Sequence, residues 1–330
     1  MTTRRRLLHI LGISLCPWPL TSTAQSKARV WRVGFLSARA RPASIAADYY
    51  GAFPHRLNEL GYVEGRNLSI EWRFAAGDYG RLPRMATELV QANVDVMMAL
   101  GPPAVEAARK ATTTIPIVIV VSIDPAAAGF VKSLARPGGN ITGLSNLAGD
   151  ISPKHLELLH AIAPKVARVA VLTNPGNTAH AAMLKSVESA AQSLSVKIFT
   201  VKAQTPAEIE SAFAFMVRER AGAVMVFLDP LFIQQERQIA SLATQNRLPS
   251  IFANREYAEA GGLMSYGQDQ TDIYRRAATY VDKIFKGAKP ADLPVEQPMT
   301  FDMIINRQTA KALGLTIPPD IMVQATRVIE

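Results

Sequence analysis

The sequence predicts an α/β protein with two Rossmann-like lobes, each built on a parallel sheet, joined by a three-segment hinge around a ligand cleft. Short apolar, β-branched runs alternate with amphipathic segments, as in a parallel sheet covered by helices. The same alternation restarts after the stretch 115–145, close to the middle of the chain. The length of 330 residues also exceeds that of a usual single domain.

The first 24 residues differ from the rest and predict an export signal. Three arginines, Arg4 to Arg6, precede a mostly apolar stretch, 7–20, and small residues at 22–24 suit cleavage. The basic start fits an ordinary Sec signal, and the adjacent arginines also fit the twin-arginine route, so both routes stay open. The only cysteine, Cys16, lies in this segment. Disulfides and thiol chemistry are therefore excluded for residues 25–330.

The first predicted lobe comprises residues 25–143 plus 265–295. Its helix at 82–92 places Leu82, Met85 and Leu89 on one apolar face. Pro125 opens a further predicted helix after the fourth strand, because proline lacks the N–H that the first helical turn leaves unpaired. The predicted strands are 30–36, 67–74, 94–100 and 115–121, and the predicted helices between them are 47–60, 82–92 and 104–111.

The second predicted lobe comprises residues 144–264 plus 296–330, and it repeats the alternation of strands and helices. After residue 144 the predicted strands are 166–172, 196–201, 223–228, 249–253, 262–266 and 300–305, and the predicted helices are 153–162, 179–193, 206–220, 232–245 and 307–313. A further predicted helix, 271–285, falls within 265–295 and therefore belongs to the first lobe. The chain would pass between the lobes three times. The residues predicted for the hinge are Gly143, Leu144, Ser145, Tyr266, Gly267 and Pro298.

Ligands of open α/β sheets bind beyond the carboxyl ends of the strands, and this rule selects the candidate site. Helix amino termini behind Ser37, Gly101 and Ser122 would offer free N–H groups to a carboxylate. Asp124 and Asp229 would either cap helices or bind a cationic group. Tyr266 would either form an aromatic wall or pack the hinge. The predicted ligand-binding residues are Ser37, Gly101, Pro102, Ser122, Asp124, Asn174, Asp229, Asn254, Tyr266 and Gly267, and further aromatic contacts would come from Tyr49, Tyr50 or Phe35.

Several function classes lack support in the sequence. Neither GxGxxG after the first strand nor GxxxxGK[ST] is present, and the run 143–147 fails the GxSxG pattern at its last position. His155 and His160 fall on different helix faces, so we predict no metal site and no cofactor. The net charge of +9 is spread along the chain, which disfavours nucleic-acid binding. No mature segment is apolar for about 18 residues, so we predict no membrane span in the mature chain.

Four phrases resemble a known family. They are LGYVEGRN at 60–67, RLP at 81–83, SLARPGGNITG at 133–143 and NRQTAKALGLTIP at 306–318. They are similar to substrate-binding proteins of ABC transporters in the TrpX-like family, over essentially the whole mature chain and in the same order. The resemblance implies a type I periplasmic binding protein fold, a periplasmic location and lobes that close on a ligand. Pro102 stands where the family commonly has Ser or Thr, although downstream helix N–H groups would remain for an anion.

The resemblance implies a non-enzymatic function. The chain would capture a small organic molecule, with an amino acid or a related carboxylate as the candidate class, and deliver it as a monomer to an ABC permease and its ATPase. Ser37, Gly101, Ser122 and Asn174 would hold the anionic end, Asp124 or Asp229 a cationic group, and Tyr266 an apolar part. Two alternatives share the architecture: a ligand-sensing module of a membrane receptor, and a two-lobed glycosyltransferase or hydrolase.

Overall fold

The computed structural model describes residues 29–146 and 148–330. The predicted export signal, 1–24, lies outside the described residues. Two α/β lobes are present, as predicted. The first contains a five-stranded parallel sheet in the order β2-β1-β3-β4-β5. Its strands are β1 (Trp31–Ser37), β2 (Leu68–Phe74), β3 (Val96–Leu100), β4 (Ile117–Ile123) and β5 (Ile141–Asn146), with helices α1 (Ala52–Glu59), α2 (Leu82–Gln91) and α3 (Pro102–Ala111).

Apart from the half-buried edge strand β2, the strands of this sheet are buried on both faces, which explains apolar runs such as β3. Along β4, Val118 and Val120 pack on one face of the sheet, while Ile117 and Ile119 pack on the other. The register of β4 against β5 then shifts between Ile119 and Ser122. The sheet is therefore irregular where β4 reaches the cleft.

The segment after β4 differs from its prediction. Turns and bends, not a helix, follow Pro125, with hydrogen bonds from Ala128 N to Asp124 O (3.0 Å) and from Phe130 N to Pro125 O (2.9 Å). The connection from β4 to β5 therefore places no helix amino terminus behind Ser122.

The second lobe contains a seven-stranded sheet. Its first part comprises α4 (Ala148–Ile162), β6 (Arg168–Thr173), α5 (His180–Ser193), β7 (Lys197–Lys202), α6 (Pro206–Arg218), β8 (Ala223–Val226), α7 (Pro230–Gln234), α8 (Glu236–Gln245), β9 (Ser250–Phe252), α9 (Arg255–Glu259) and β10 (Met264–Gln268). The chain then forms α10 (Gln270–Phe285) against the first lobe and returns as β11 (Phe301–Asn306), α11 (Arg307–Ala312), α12 (Pro319–Gln324) and β12 (Arg327–Ile329). The strand order is β12-β11-β10-β9-β8-β6-β7, and the β10–β11 pair is antiparallel.

The three crossings lie side by side between the lobes. Ser145 N donates to Glu296 O (2.8 Å), and Asp269 N donates to Thr300 O (3.0 Å). The first two crossings come slightly later in the chain than the predicted boundaries at 143/144 and 264/265. Residues 144–146 still belong to β5 in the first sheet, and residues 265–268 belong to β10 in the second. The predicted hinge residues in these segments thus lie at strand ends beside the crossings, and Pro298 lies in the third crossing.

Position 143 requires glycine for two reasons, its backbone conformation and its close approach to Ile119. Its φ of 130° lies in a region that L side chains rarely adopt, and an added Cβ would lie 2.3 Å from Ile119 O. We expect Gly143→Ala to lower stability by about 3 kcal/mol, because backbone strain adds to overpacking. Chemical denaturation checks this. The matched control is Gly139→Ala, since an added Cβ there meets nothing within 4 Å. Equal denaturation midpoints for the two variants would contradict this explanation.

Candidate ligand-binding site

A small cavity lies between the lobes, and boundaries between lobes are a preferred position for small-molecule sites. Both lobes contribute to it, and the lobes contact each other beside it. Ala40 N of the first lobe donates to Gln234 Oε1 of the second (3.1 Å). The lining residues are Ser37, Arg39, Tyr49, Tyr50, Leu100, Gly101, Pro102, Val121, Gln270 and Tyr274 from the first lobe side, and Asn177, Leu228, Pro230 and Ile233 from the second.

Arg39 is the cation of this cavity lining, and its loop follows β1. The guanidinium donates to the Tyr49 hydroxyl and to Asp48 Oδ2 (3.3 Å), and it lies 4.9 Å from the ring centres of Tyr49 and Tyr50. Burial opposes its charge, but Tyr49, Tyr50 and Asp48 together raise the pKa of Arg39. Its Nε–H is buried and has no partner among the described residues. Arg39 is therefore a charged residue of the cavity lining whose Nε–H is not used by another described residue.

Tyrosines form the aromatic wall of the cavity. The Tyr274 ring stacks on Tyr49 (5.4 Å between centres) and meets Tyr50 edge to face (5.0 Å). Ser37 Oγ and the Tyr50 hydroxyl are 2.9 Å apart and share a hydrogen bond. Burial raises the pKa of Tyr49 and of Tyr274 well above the ordinary value, so these hydroxyls keep their protons. The wall thus combines flat apolar surface with hydroxyl groups.

Asp229 links the two lobes. Its side chain is fully buried and accepts from the hydroxyl of Tyr79 in the first lobe (2.9 Å to each oxygen). Asn174 Nδ2 and Leu231 N donate to Oδ1, and Asn177 Nδ2 donates to Oδ2, each at 3.0 Å. A carboxylate has about four acceptor positions, so these four donors fill them. Asp229 thus caps α7, the first of its two predicted roles, and also connects the lobes.

His180 supports this cluster as a neutral ring. Its Nδ1 accepts from Asn174 N (2.9 Å), so Nε2 carries the proton and donates to Leu228 O (3.1 Å). Burial lowers the pKa of His180, although Asp229 opposes this effect. The histidine therefore fixes the backbone of Asn174 and does not form an ion pair with Asp229.

The start of α3 offers the cavity no free backbone donor, contrary to the sequence-based expectation. Pro102 and Pro103 have no N–H. Gly101 N donates to Val120 O (2.9 Å), and the amides of Ala104 and Val105 both donate to Gly101 O (3.1 Å). Gly101 and Pro102 line the cavity as predicted, but they form its surface and provide no anion-binding amides.

The other predicted site residues lie outside the cavity lining. Asp124 is exposed and accepts from Ala127 N (3.0 Å), which caps a turn. Ser122 Oγ and the Asn254 amide are buried without a partner among the described residues. Tyr266 stacks on Phe301 within the second lobe (5.5 Å). The roles of these residues in binding stay predictions.

Gly267 sits where β10 passes close to the preceding strand. An added Cβ there would lie 1.8 Å from Ala253 O, so only glycine allows this approach. Close packing therefore explains why residue 267 is glycine. The predicted contact of Gly267 with the ligand stays a prediction.

A search of the described ranges, 29–146 and 148–330, gives two further findings. No helix in them is long and apolar enough to cross a bilayer. They also contain no group of three or more His, Cys, Asp or Glu side chains arranged to hold a metal ion.

Comparison with known proteins identifies the family. The model of the ABC transporter substrate binding protein family matches residues 43–329, which include both lobes and the cavity. The chain belongs to this family. Substrate-binding proteins bind a solute and are not classified as enzymes, and the shared cavity between the lobes has the position that such a function requires.

Individual relatives agree with this assignment. A tyrosine-binding protein of Clostridioides difficile is 27% identical over 263 residues, which are 80% of this chain and 75% of that protein. The crystal structure of an ABC domain from Streptococcus pneumonia in complex with L-Trp has a TM-score of 0.82 and 27% identity, over 91% of this chain and all of that chain. A conserved domain protein from Vibrio cholerae has a TM-score of 0.84 and 30% identity over the same shares.

Sequence reasoning missed several residues of this binding protein. Arg39 follows β1 in a loop, and Tyr79 begins a one-turn 3-10 helix whose contact with Asp229 reaches the other lobe. Asn177 lies three residues after the predicted Asn174, in the same turn, and the two share Asp229. The spacing of two asparagines, Asn174 and Asn177, after a buried strand could have indicated that both side chains belong to the site. Tyr274 lies in α10, and the apolar face of this helix is typical of ordinary core packing, so the sequence did not indicate a role in the cavity.

Proposed function

We propose that the protein captures a small carboxylate with an aromatic or apolar body between its lobes, and delivers it to the permease and ATPase of an ABC importer. One observation carries this proposal: the cavity between the lobes is lined by a half-buried arginine, whose Nε–H has no partner among the described residues, and by a wall of tyrosines. A charge-assisted hydrogen bond would orient the carboxylate, and the tyrosine rings would take the apolar part. Amino acids and related carboxylates are the candidate compounds.

The relatives support an aromatic ligand. Their printed names give tyrosine for the C. difficile protein and L-Trp for the S. pneumonia structure. Three tyrosines lie in the cavity wall here, and an aromatic ring can stack against them or meet their edges. An aromatic or similarly apolar body therefore fits both the relatives and this cavity.

Release and capture require the lobes to separate. The contacts of Ala40 with Gln234 and of Tyr79 with Asp229 join one lobe to the other, so we expect both to break when the cleft opens. The three crossings beside each other would act as the hinge. The closed form would then be the state that the permease recognises. An exported, periplasmic location follows from the predicted signal at 1–24 and from the family.

A thermal-shift screen of the mature protein tests the proposal. The panel contains aromatic and aliphatic carboxylates, the matching amino acids, and neutral sugars as the control class. A ligand at about 100 times its Kd adds about 2.7 kcal/mol of stability, so a true ligand raises the melting temperature by several degrees. We expect carboxylates with an aromatic body to give the largest shifts. Shifts from sugars alone would contradict the proposal.

A further inference from the structure

We propose that this cavity is built for a carboxylate whose aromatic or apolar body carries no ammonium group. The inference rests on the proposed function and narrows its ligand class from amino acids and related carboxylates to the latter. Two features of the cavity carry it: a positively charged residue in the lining, and the absence of Asp, Glu and His from the described residues that line it.

The anion partner is Arg39. Two of its three nitrogens are already held, by Tyr49 and by Asp48, which fixes the guanidinium in one orientation. The third, Nε, is buried and has no partner. A ligand carboxylate would complete the hydrogen bonding of this group without displacing any bond seen here. Arginine suits this role because its planar donors match carboxylate geometry.

The lining contains no matching group for an ammonium. Among the described residues that line the cavity, none is Asp, Glu or His. Asp229 is the nearest buried carboxylate in sequence to the lining residues Leu228 and Pro230, but its acceptor positions are filled, one of them by Tyr79 from the opposite lobe. The Asn177 side-chain oxygen also accepts from Ala179 N (3.2 Å). The Tyr79 hydroxyl thus donates to Asp229, so this carboxylate has no acceptor position left for the α-ammonium group of an amino acid.

Two glutamates of the second lobe, Glu236 and Glu256, lie close enough to Arg39 for its charge to oppose the rise in their pKa, but they do not line this cavity. Glu236 and Glu256 line a separate notch with Arg237 and Glu259. Burial, helped by Glu256, raises the pKa of Glu236 to about 7, and burial also raises the pKa of Glu256. Part of the negative charge of Glu236 is therefore absent near neutral pH, which weakens its repulsion of an anion at Arg39. Glu256 Oε2 is buried without a partner among the described residues, so Glu256 is the first carboxylate to test if an ammonium group binds.

An ammonium brought into the cavity would lose water without gaining a charged partner. Leaving one buried polar group unsatisfied lowers affinity by roughly ten- to a hundredfold. The amino acid should therefore bind more weakly by this factor than the same molecule without its amino group.

Isothermal titration of the mature protein with matched pairs tests this. The pairs are L-tyrosine against 3-(4-hydroxyphenyl)propanoate, and L-tryptophan against 3-(indol-3-yl)propanoate; tyramine is the probe with an ammonium and no carboxylate. We expect the propanoates to bind at least tenfold more tightly than the amino acids, and tyramine not to bind.

The outcomes separate this inference from the proposed function. If an amino acid binds as tightly as its propanoate or more tightly, the inference is overturned while the proposed function stands. The variant Glu256→Gln then tests whether the Glu256 carboxylate binds the ammonium group. If tyramine binds and the propanoates do not, or if no compound with a carboxylate binds, both the inference and the proposed function fail.

Discussion

Replacing Arg39 with glutamine is expected to weaken binding of aromatic carboxylates by about 100-fold. Hydrogen bonds to charged groups contribute about 1.5–3 kcal/mol, and burial at the cavity wall places this bond near the upper end. The variant removes the Nε–H and the positive charge together. Isothermal titration of the variant with the tightest carboxylate ligand of the wild type measures the effect.

Two further variants separate charge from geometry. Arg39→Lys keeps the charge but loses the planar donors, so we expect an intermediate loss of affinity. Arg41→Gln is the matched control, because Arg41 is exposed on the same loop and does not line the cavity. Its affinity should equal that of the wild type. A change of less than twofold in Arg39→Gln would exclude Arg39 as the anion partner.

Tyr79→Phe is expected to weaken ligand binding by about tenfold or more, with little change in the stability of either lobe. The lost bond joins Tyr79 of the first lobe to Asp229 of the second, so its removal destabilises only the closed form. A hydrogen bond to a charged acceptor contributes about 1.5–3 kcal/mol, and each 1.4 kcal/mol changes affinity about tenfold. Burial and Asp229 raise the pKa of Tyr79, so its hydroxyl stays protonated and keeps donating.

Tyr62→Phe provides the matched control. The Tyr62 hydroxyl donates to Asp282 Oδ1 (3.0 Å), and both residues belong to the first lobe, so this bond persists when the cleft opens. We expect this variant to lose stability while its affinity for ligand stays unchanged. If Tyr62→Phe and Tyr79→Phe weaken binding equally, the Tyr79–Asp229 contact does not set the closed state.

Much of the fold could be predicted because the central strands of both sheets are buried on both faces. Continuous apolar runs such as β3 and β4 have few alternatives in a chain that also contains amphipathic helices. The rule that ligands bind at strand carboxyl ends also located part of the cavity, since Ser37 and Gly101 line it. The family assignment followed from phrases that extend over both lobes and was confirmed by the family model.

The remaining features depend on contacts between residues that are far apart in sequence. Asp124 and Asp229 both precede proline at a strand end, yet Asp124 is exposed and Asp229 is buried between the lobes. Only the three-dimensional structure distinguishes them, because Tyr79 reaches Asp229 across 150 positions. The helix expected after Pro125 is likewise replaced by turns that serve the connection to β5.

A crystal structure of the protein with 3-(4-hydroxyphenyl)propanoate tests the central claim most directly. We predict that the ligand lies between the lobes, with a carboxylate oxygen about 3 Å from Arg39 Nε and its ring against Tyr49 or Tyr274. The Tyr79 hydroxyl should still donate to Asp229. A ligand bound outside this cavity, or one whose carboxylate avoids Arg39, would contradict the account.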